Sequence, residues 1–336
     1  MTGDPHHQFC LAAAQVLEER ATQITVLSRG VLDLSATSAA NDLWLATRRL
    51  RAALEIFKPC LRRPEYREGR AEARRISRAV GMRRDADAMV AAYEALRAEN
   101  EPATAAGVDR VVTKLRREQT KANRDLAQVV HGRRMQAFRL RIEEIADSAV
   151  DADAADRAES YRPVEEWPPQ PVAQISKRLA RLRREAAASV EQGDVKAQYR
   201  MRVAAERLRY ALELTGDALG TQAHTARRAA RGLQEVLGEM RDCDLAVPPA
   251  RQMIAELEAE DIATIVERGS GSRDLDPVLV QAAPNRAAYR GLELAIIHLV
   301  ARREMLYGRF RRLWLEQSRQ GVWVALETSL KVESRA

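Results

Sequence analysis

Apolar residues recur along this chain at spacings of three and four and nowhere alternate convincingly with period two, which is the mark of amphipathic helices. The spacing predicts helices over about 8–28, 38–58, 65–80, 85–99, 104–131 and 133–149, and again over 172–191, 195–217, 222–239, 242–261, 286–302 and 303–318. The fold class is therefore all-α. Between the two groups, Pro163, Pro168, Pro169 and Pro171 crowd a segment that cannot continue a helix. A second break, Gly269 to Pro284, is rich in Gly, Ser, Asp and Pro, and Gln320 to Ala336 stays ambiguous.

The pattern repeats itself. Arg49-Leu50-Arg51-Ala52-Ala53-Leu54-Glu55-Ile56 returns as Arg207-Leu208-Arg209-Tyr210-Ala211-Leu212-Glu213-Leu214, an offset of 158. Gly81-Met82-Arg83-Arg84-Asp85-Ala86-Asp87 returns as Gly238-Glu239-Met240-Arg241-Asp242-Cys243-Asp244, an offset of 157. Two matches in one order at nearly one offset, with the prolines between them, predict a duplicated helical unit. The first repeat covers 8–150, a proline-rich linker 151–171, the second repeat 172–318 and a tail 319–336.

Turned at 100° per residue, the helix around residue 50 puts Leu43, Ala46, Leu50, Leu54 and Phe57 on the core side, with Asn41, Trp44, Arg48, Arg51 and Glu55 opposite. In the next helix Ala73, Ile76 and Val80 face inward while Arg67, Arg74 and Arg78 face away. The second copy buries Met201, Ala205, Leu208 and Leu212 and presents Tyr199, Arg202, Glu206 and Arg209. Its following helix buries Ala229, Leu233 and Val236 and presents Arg228, Arg231 and Glu235.

Charge sharpens this picture. The 336 residues hold 55 Lys and Arg against 48 Asp and Glu, a formal net charge of +7, and only six of the cations are Lys. Arg grips phosphate or carboxylate with a flat two-pronged fork, whereas Lys acts as a point charge. Residues 41–84 carry a net +8 and residues 195–241 a net +4, so the basic excess belongs to these helices and the rest of the chain is acidic. On one isolated helix such a face is ordinarily solvated and laced with ion pairs to Glu four residues away. Its recurrence in both copies favours an anion-binding role, and Glu206 and Glu235 predict that the second copy binds more weakly.

With 46% hydrophobic, 31% charged and 4% aromatic residues, the chain is neither disordered, collagen-like nor a disulfide scaffold. Cys10, Cys60 and Cys243 are far apart and odd in number, so neither a disulfide framework nor a zinc site is expected, and a reducing compartment fits. No basic segment followed by an apolar run opens the chain, and the longest apolar stretch, Leu292 to Ala301, is interrupted by Glu293 and His298. A soluble cytoplasmic protein without membrane association is expected.

The paired motifs resemble the CHAD family, helical domains named for histidines and known as binders of inorganic polyphosphate. That family carries, in each of two repeats, a helix patterned His-x-x-Arg-x-x-x-Lys/Arg-Arg-Leu-Arg and, one helix later, a Leu-Gly-x-x-Arg-Asp-x-Asp turn. The first repeat here supplies Asn41, Trp44, Arg48, Arg49, Leu50 and Arg51, then Gly81, Arg84, Asp85 and Asp87; the second supplies Tyr199, Arg202, Glu206, Arg207, Leu208 and Arg209, then Leu237, Gly238, Arg241, Asp242 and Asp244. Both name-giving histidines are replaced, by Asn41 and Tyr199, and His6, His7, His131, His224 and His298 lie elsewhere.

The resemblance implies two four-helix-type bundles in a pseudo-twofold arrangement. It also implies a polyphosphate site built from Arg48, Arg49, Arg51, Arg67, Arg74, Arg78, Arg202, Arg207, Arg209, Arg228 and Arg231, with association with polyphosphate granules. The alternatives are a protein-interaction domain whose anion site has decayed, and a nucleic-acid binder, for which stacking aromatics are few. No GxxxxGK[ST], GxSxG or HExxH motif nominates a nucleophile or catalytic metal, so neither enzymatic activity nor a cofactor is expected. Asp85 with Asp87 and Asp242 with Asp244 are read as helix-start residues before metal ligands. Trp44 and Tyr199 are read as packing residues before ligand-stacking ones.

Overall fold

Helices carry nearly all the described residues of this computed structural model, which are 5–36, 38–99, 102–159, 170–215, 220–271 and 273–333. Among them the elements are α1 (Pro5–Leu27), α2 (Ala39–Ile56), a 3-10 turn at Lys58–Cys60, α3 (Arg63–Glu99), α4 (Pro102–Val130), α5 (Gly132–Glu159), α6 (Gln170–Ser189), α7 (Val195–Thr215), α8 (Gly220–Arg268), α9 (Pro277–Gln281), α10 (Arg286–Arg319) and α11 (Val322–Glu333), and no strand. The all-α class read from the spacing holds. Pro163, Pro168 and Pro169 lie outside the described residues, while Pro171 sits in the first turn of α6, where a missing N–H costs nothing.

Three pairs of expected helices are single ones. The breaks expected near residues 81–84, 240 and 302 fall inside α3, α8 and α10. The Gly-x-x-Arg-Asp segments are therefore mid-helix, and their aspartates do not start helices. A helical glycine costs about 1 kcal/mol relative to Ala, too little to end a helix whose flanks both pack. Gly81 has a packing reason as well, since a Cβ there would stand 3.4 Å from Nε1 of Trp44. The ambiguous end proves to be helical α11, which buries Trp323, Leu326 and Leu330.

The chain forms two compact units, and each takes segments from both sequence copies. One comprises residues 1–84, 122–235 and 311–336, the other residues 85–121 and 236–310. In the first unit α1 packs on α5 and α2, α2 on α7, and α6 on α7 and α11. Leu43, Ala46, Leu50, Leu54 and Phe57 are buried as their spacing requires, and so are Met201, Ala205, Leu208 and Leu212. Of the three residues expected inside α8, Leu233 and Val236 are buried and Ala229 is half-buried. Asp194 caps α7, its Oδ1 accepting from the Ala197 amide at 2.8 Å.

The cysteine expectation is overturned here. Cys10 of α1 and Cys60 are disulfide-bonded with Cα atoms 5.4 Å apart, and Cys243 alone is a buried thiol. A separation of 50 residues hides the pair in sequence; the packing of α1 beside the 3-10 turn creates it.

The second unit is centred on Tyr93, Val108, Val111, Ala250, Leu257, Leu292 and Ala295. Tyr93 donates its hydroxyl to the Ala246 carbonyl at 2.5 Å, and burial raises its pKa. Here α4 and α10 cross at backbone contact. A Cβ on Gly291 would overlap the Thr104 carbonyl oxygen, and one on Gly107 that of Ala288. Gly291→Ala gains about 1 kcal/mol of helix propensity but must part the two helices, at about 3 kcal/mol. A net loss of roughly 2 kcal/mol by denaturant melting is expected, against no loss for Gly132→Ala, whose added Cβ meets open space.

Candidate anion-binding groove

The first unit brings three cationic helices together. From α2, Arg48, Arg51, Ala52 and Glu55 line a cavity of about 180 Å³ with Arg178 of α6 and Tyr199, Val203, Glu206, Arg207 and Tyr210 of α7. A second, of about 260 Å³, is lined by Glu55, Gln174, Lys177, Arg178, Arg181, Arg184, Ala204 and Arg207. Both cavities share Glu55, Arg178 and Arg207, so they form one groove, lined by seven basic and two acidic side chains. That excess leaves cation for an anion to neutralise.

The electrostatics register the crowding. Burial, and then the neighbouring Arg48, push the Arg51 pKa down; Arg74 and Arg70 add to this while Glu55 opposes it. Burial likewise lowers the Arg178 pKa, with Arg207 adding and Glu55 opposing. Arg48 behaves differently. Burial works against its charge, yet Glu206, through its own charge and a 2.5 Å hydrogen bond from Arg48 Nε, outweighs it and raises the pKa. Trp44 holds this corner, with the Arg48 guanidinium 5.0 Å and that of Arg84 4.5 Å from its ring centre. Trp44 is thus a cation–π platform for Arg48, which lines the groove, and for Arg84, which does not. Tyr210, beneath Arg209 at 4.3 Å, has its pKa raised by burial and then by Glu206.

Of the residues expected to bind, Arg48, Arg51 and Arg207 line the groove. Arg74 acts on Arg51 electrostatically without lining it. Arg202 is buried with Nη1 3.5 Å from Glu206. Arg49 pairs with Glu213 at 2.9 Å, and Arg209 bonds Gln234 at 2.8 Å and lies 3.6 Å from Glu213. Arg67 and Arg78 are exposed on α3, Arg228 donates to Thr225 at 3.4 Å, and Arg231 pairs with Glu235 one turn on at 2.7 Å; none of these four lines the groove.

The helix expected over 172–191 is α6, but its part in the site is not among the expected residues: it contributes Lys177, Arg178, Arg181 and Arg184. Its signal was present, because Lys177, Arg181 and Arg184 follow helical spacing directly after the prolines. It went unread because α6 lies outside both repeated motifs. Among the described residues, no three His, Cys, Asp or Glu side chains group to hold a metal ion, and no helix is long and apolar enough to cross a membrane.

The CHAD domain model matches residues 15–248, about 70% of the chain and all of α2, α6 and α7. The chain belongs to the CHAD domain family. As a CHAD domain it is similar in fold to the crystal structure of the CHAD domain from the plant Ricinus communis, with a TM-score of 0.58, 16% identity, and 96% of this chain and 91% of that one covered. It is also similar to PptA from Streptomyces chartreusis, with a TM-score of 0.56, 18% identity, and 90% and 98% covered. No curated protein matches the sequence. This CHAD domain places its motif residues Arg48 and Arg51 on α2 and Arg207 on α7 against the groove.

Proposed function

We propose that this CHAD domain binds inorganic polyphosphate, without catalysing its turnover, in the groove of α2, α6 and α7. The observation that carries the reading is the continuous lining by Arg51, Arg178 and Arg207 together with Lys177, Arg181 and Arg184. These cations come from three helices, so their spacing suits an extended chain of charges better than a single phosphate. Guanidinium groups bind phosphate oxygens in pairs with charge-assisted hydrogen bonds. Family membership supports the same ligand. A cytoplasmic protein recruited to polyphosphate granules is the setting this reading implies.

The reading includes an internal duplication related by a pseudo-twofold. It is supported by the packing of α2 on α7 and by the Arg48–Glu206 pair, two residues 158 apart that occupy corresponding places in the copies.

Salt titration of long-chain polyphosphate binding tests the function. Six groove cations at about 0.7 counterions each give a slope near −4 in log K against log salt. Affinity should fall roughly 300-fold between 50 and 200 mM salt, with no phosphate released in the presence of Mg²⁺. Salt-independent binding, or none, rejects the reading. Equal affinity for single-stranded RNA at matched phosphate would instead make it a general polyanion binder. A decayed anion site is the second reading, favoured by the way Glu206 and Glu213 already engage Arg48, Arg49, Arg202 and Arg209. It expects no polyphosphate binding at low salt.

A further inference from the structure

Glu206 is an unusual occupant of an anion groove. Its side chain is 1% exposed, with Oε1 2.5 Å from Arg48 Nε and Oε2 3.5 Å from Arg202 Nη1. Oε2 is buried and accepts no hydrogen bond, and the hydroxyl of Tyr210, which lines the same cavity, is buried without a partner as well. The sequence explains the placement. Position 206 corresponds to 48 at the repeat offset, and where the first copy has Arg the second has Glu. Two arginines meeting there between α2 and α7 would repel; one reversal converts the repulsion into a clamp, and it leaves a carboxylate where phosphate would otherwise meet Arg48.

We propose that Glu206 is a built-in competing anion, a specificity-determining residue that weakens the groove for phosphate chains by holding Arg48 and Arg202. This inference rests on the polyphosphate reading of the groove. A bound chain displaces the carboxylate from Arg48, and it succeeds only where flanking contacts to Arg51, Arg178 and Arg207 hold it in place. Single orthophosphate lacks those flanking contacts and does not displace Glu206.

The test is binding of long-chain polyphosphate to the full-length protein and its variants across a salt series. Glu206→Gln should bind about tenfold more tightly, as expected for one added charge-assisted contact, and its salt slope should steepen by about 0.7, one further counterion released. Arg48→Gln, which leaves the carboxylate without its closest cation, should bind more weakly, and the double variant should return to near wild type. A merely structural clamp predicts that both single variants bind more weakly.

Glu206→Gln binding no tighter than a wild type that binds overturns the inference and leaves the polyphosphate reading standing. Glu206→Gln binding where the wild type does not supports the inference, and no binding by either protein at any salt concentration rejects both. Should Glu206→Gln fail to fold, Glu206→Asp, which keeps the buried charge but draws the carboxylate back from Arg48, decides: tighter binding than wild type supports the inference, and equal or weaker binding overturns it.

Discussion

Arg51→Glu, Lys177→Glu and Arg207→Glu combined should weaken polyphosphate binding by at least about a hundredfold, because each lost charge-assisted contact is worth about 1.5–3 kcal/mol and each new carboxylate repels the chain. Arg51 lines one cavity, Lys177 the other, and Arg207 both, so the three substitutions span the groove. Lys177 and Arg207 are exposed and Arg51 is half-buried, which keeps the fold cost low. The matched control is Arg67→Glu, Arg228→Glu and Arg231→Glu, which changes net charge equally at residues that do not line the groove. There binding should fall by less than about fivefold, since exposed charges that do not touch the bound chain are weakened by salt screening. Titration by anisotropy of a labelled chain measures both. Equal losses in the two triple variants would mean that net charge, and not the groove, does the binding.

Reduction should destabilise the first unit substantially. The Cys10–Cys60 bond closes a loop of 50 residues, and cross-linking a loop of that size restricts the unfolded chain by about 4 kcal/mol in the entropic model. At about 2–4 °C per kcal/mol for a domain of this size, the first unit's melting midpoint should drop by roughly 10 °C with dithiothreitol. Cys10→Ser should do the same without reductant. Thiol titration under denaturing conditions provides the check, with one thiol (Cys243) before reduction and three after. An unchanged midpoint with three thiols titrated would show that packing of α1 on α2 and α5 suffices. In a reducing cytoplasm the pair would stand as thiols, and the lower midpoint would be the working one.

Much of the fold was legible because burial on a helix has a period, and that period survives in the apolar residues. Leu43, Leu50, Leu54, Met201, Leu208 and Leu212 sit inside as their spacing requires. Helix ends were less legible. Gly81 and Gly238 look like stops, but a local propensity cost of about 1 kcal/mol yields to packing on both flanks, and α3 and α8 run through, as does α10 past Arg302. In the groove, Arg48, Arg51 and Arg207 were readable from the repeated motif. Lys177, Arg178, Arg181 and Arg184 were not, because no repeat drew attention to α6. The arginines of α8 were placed on an outer face correctly, yet Arg231 and Arg228 satisfy themselves locally with Glu235 and Thr225.

By itself the sequence determined the all-α class, the two motif copies and the concentration of Arg on their helices, since each depends only on residues close along the chain. Tertiary structure alone decided which arginines share a groove, that Glu206 lies against Arg48, that Cys10 meets Cys60 and that Gly291 admits Thr104. Those joins reach across as many as 187 residues, and helical periodicity tells which way a side chain faces but not which helix it will face.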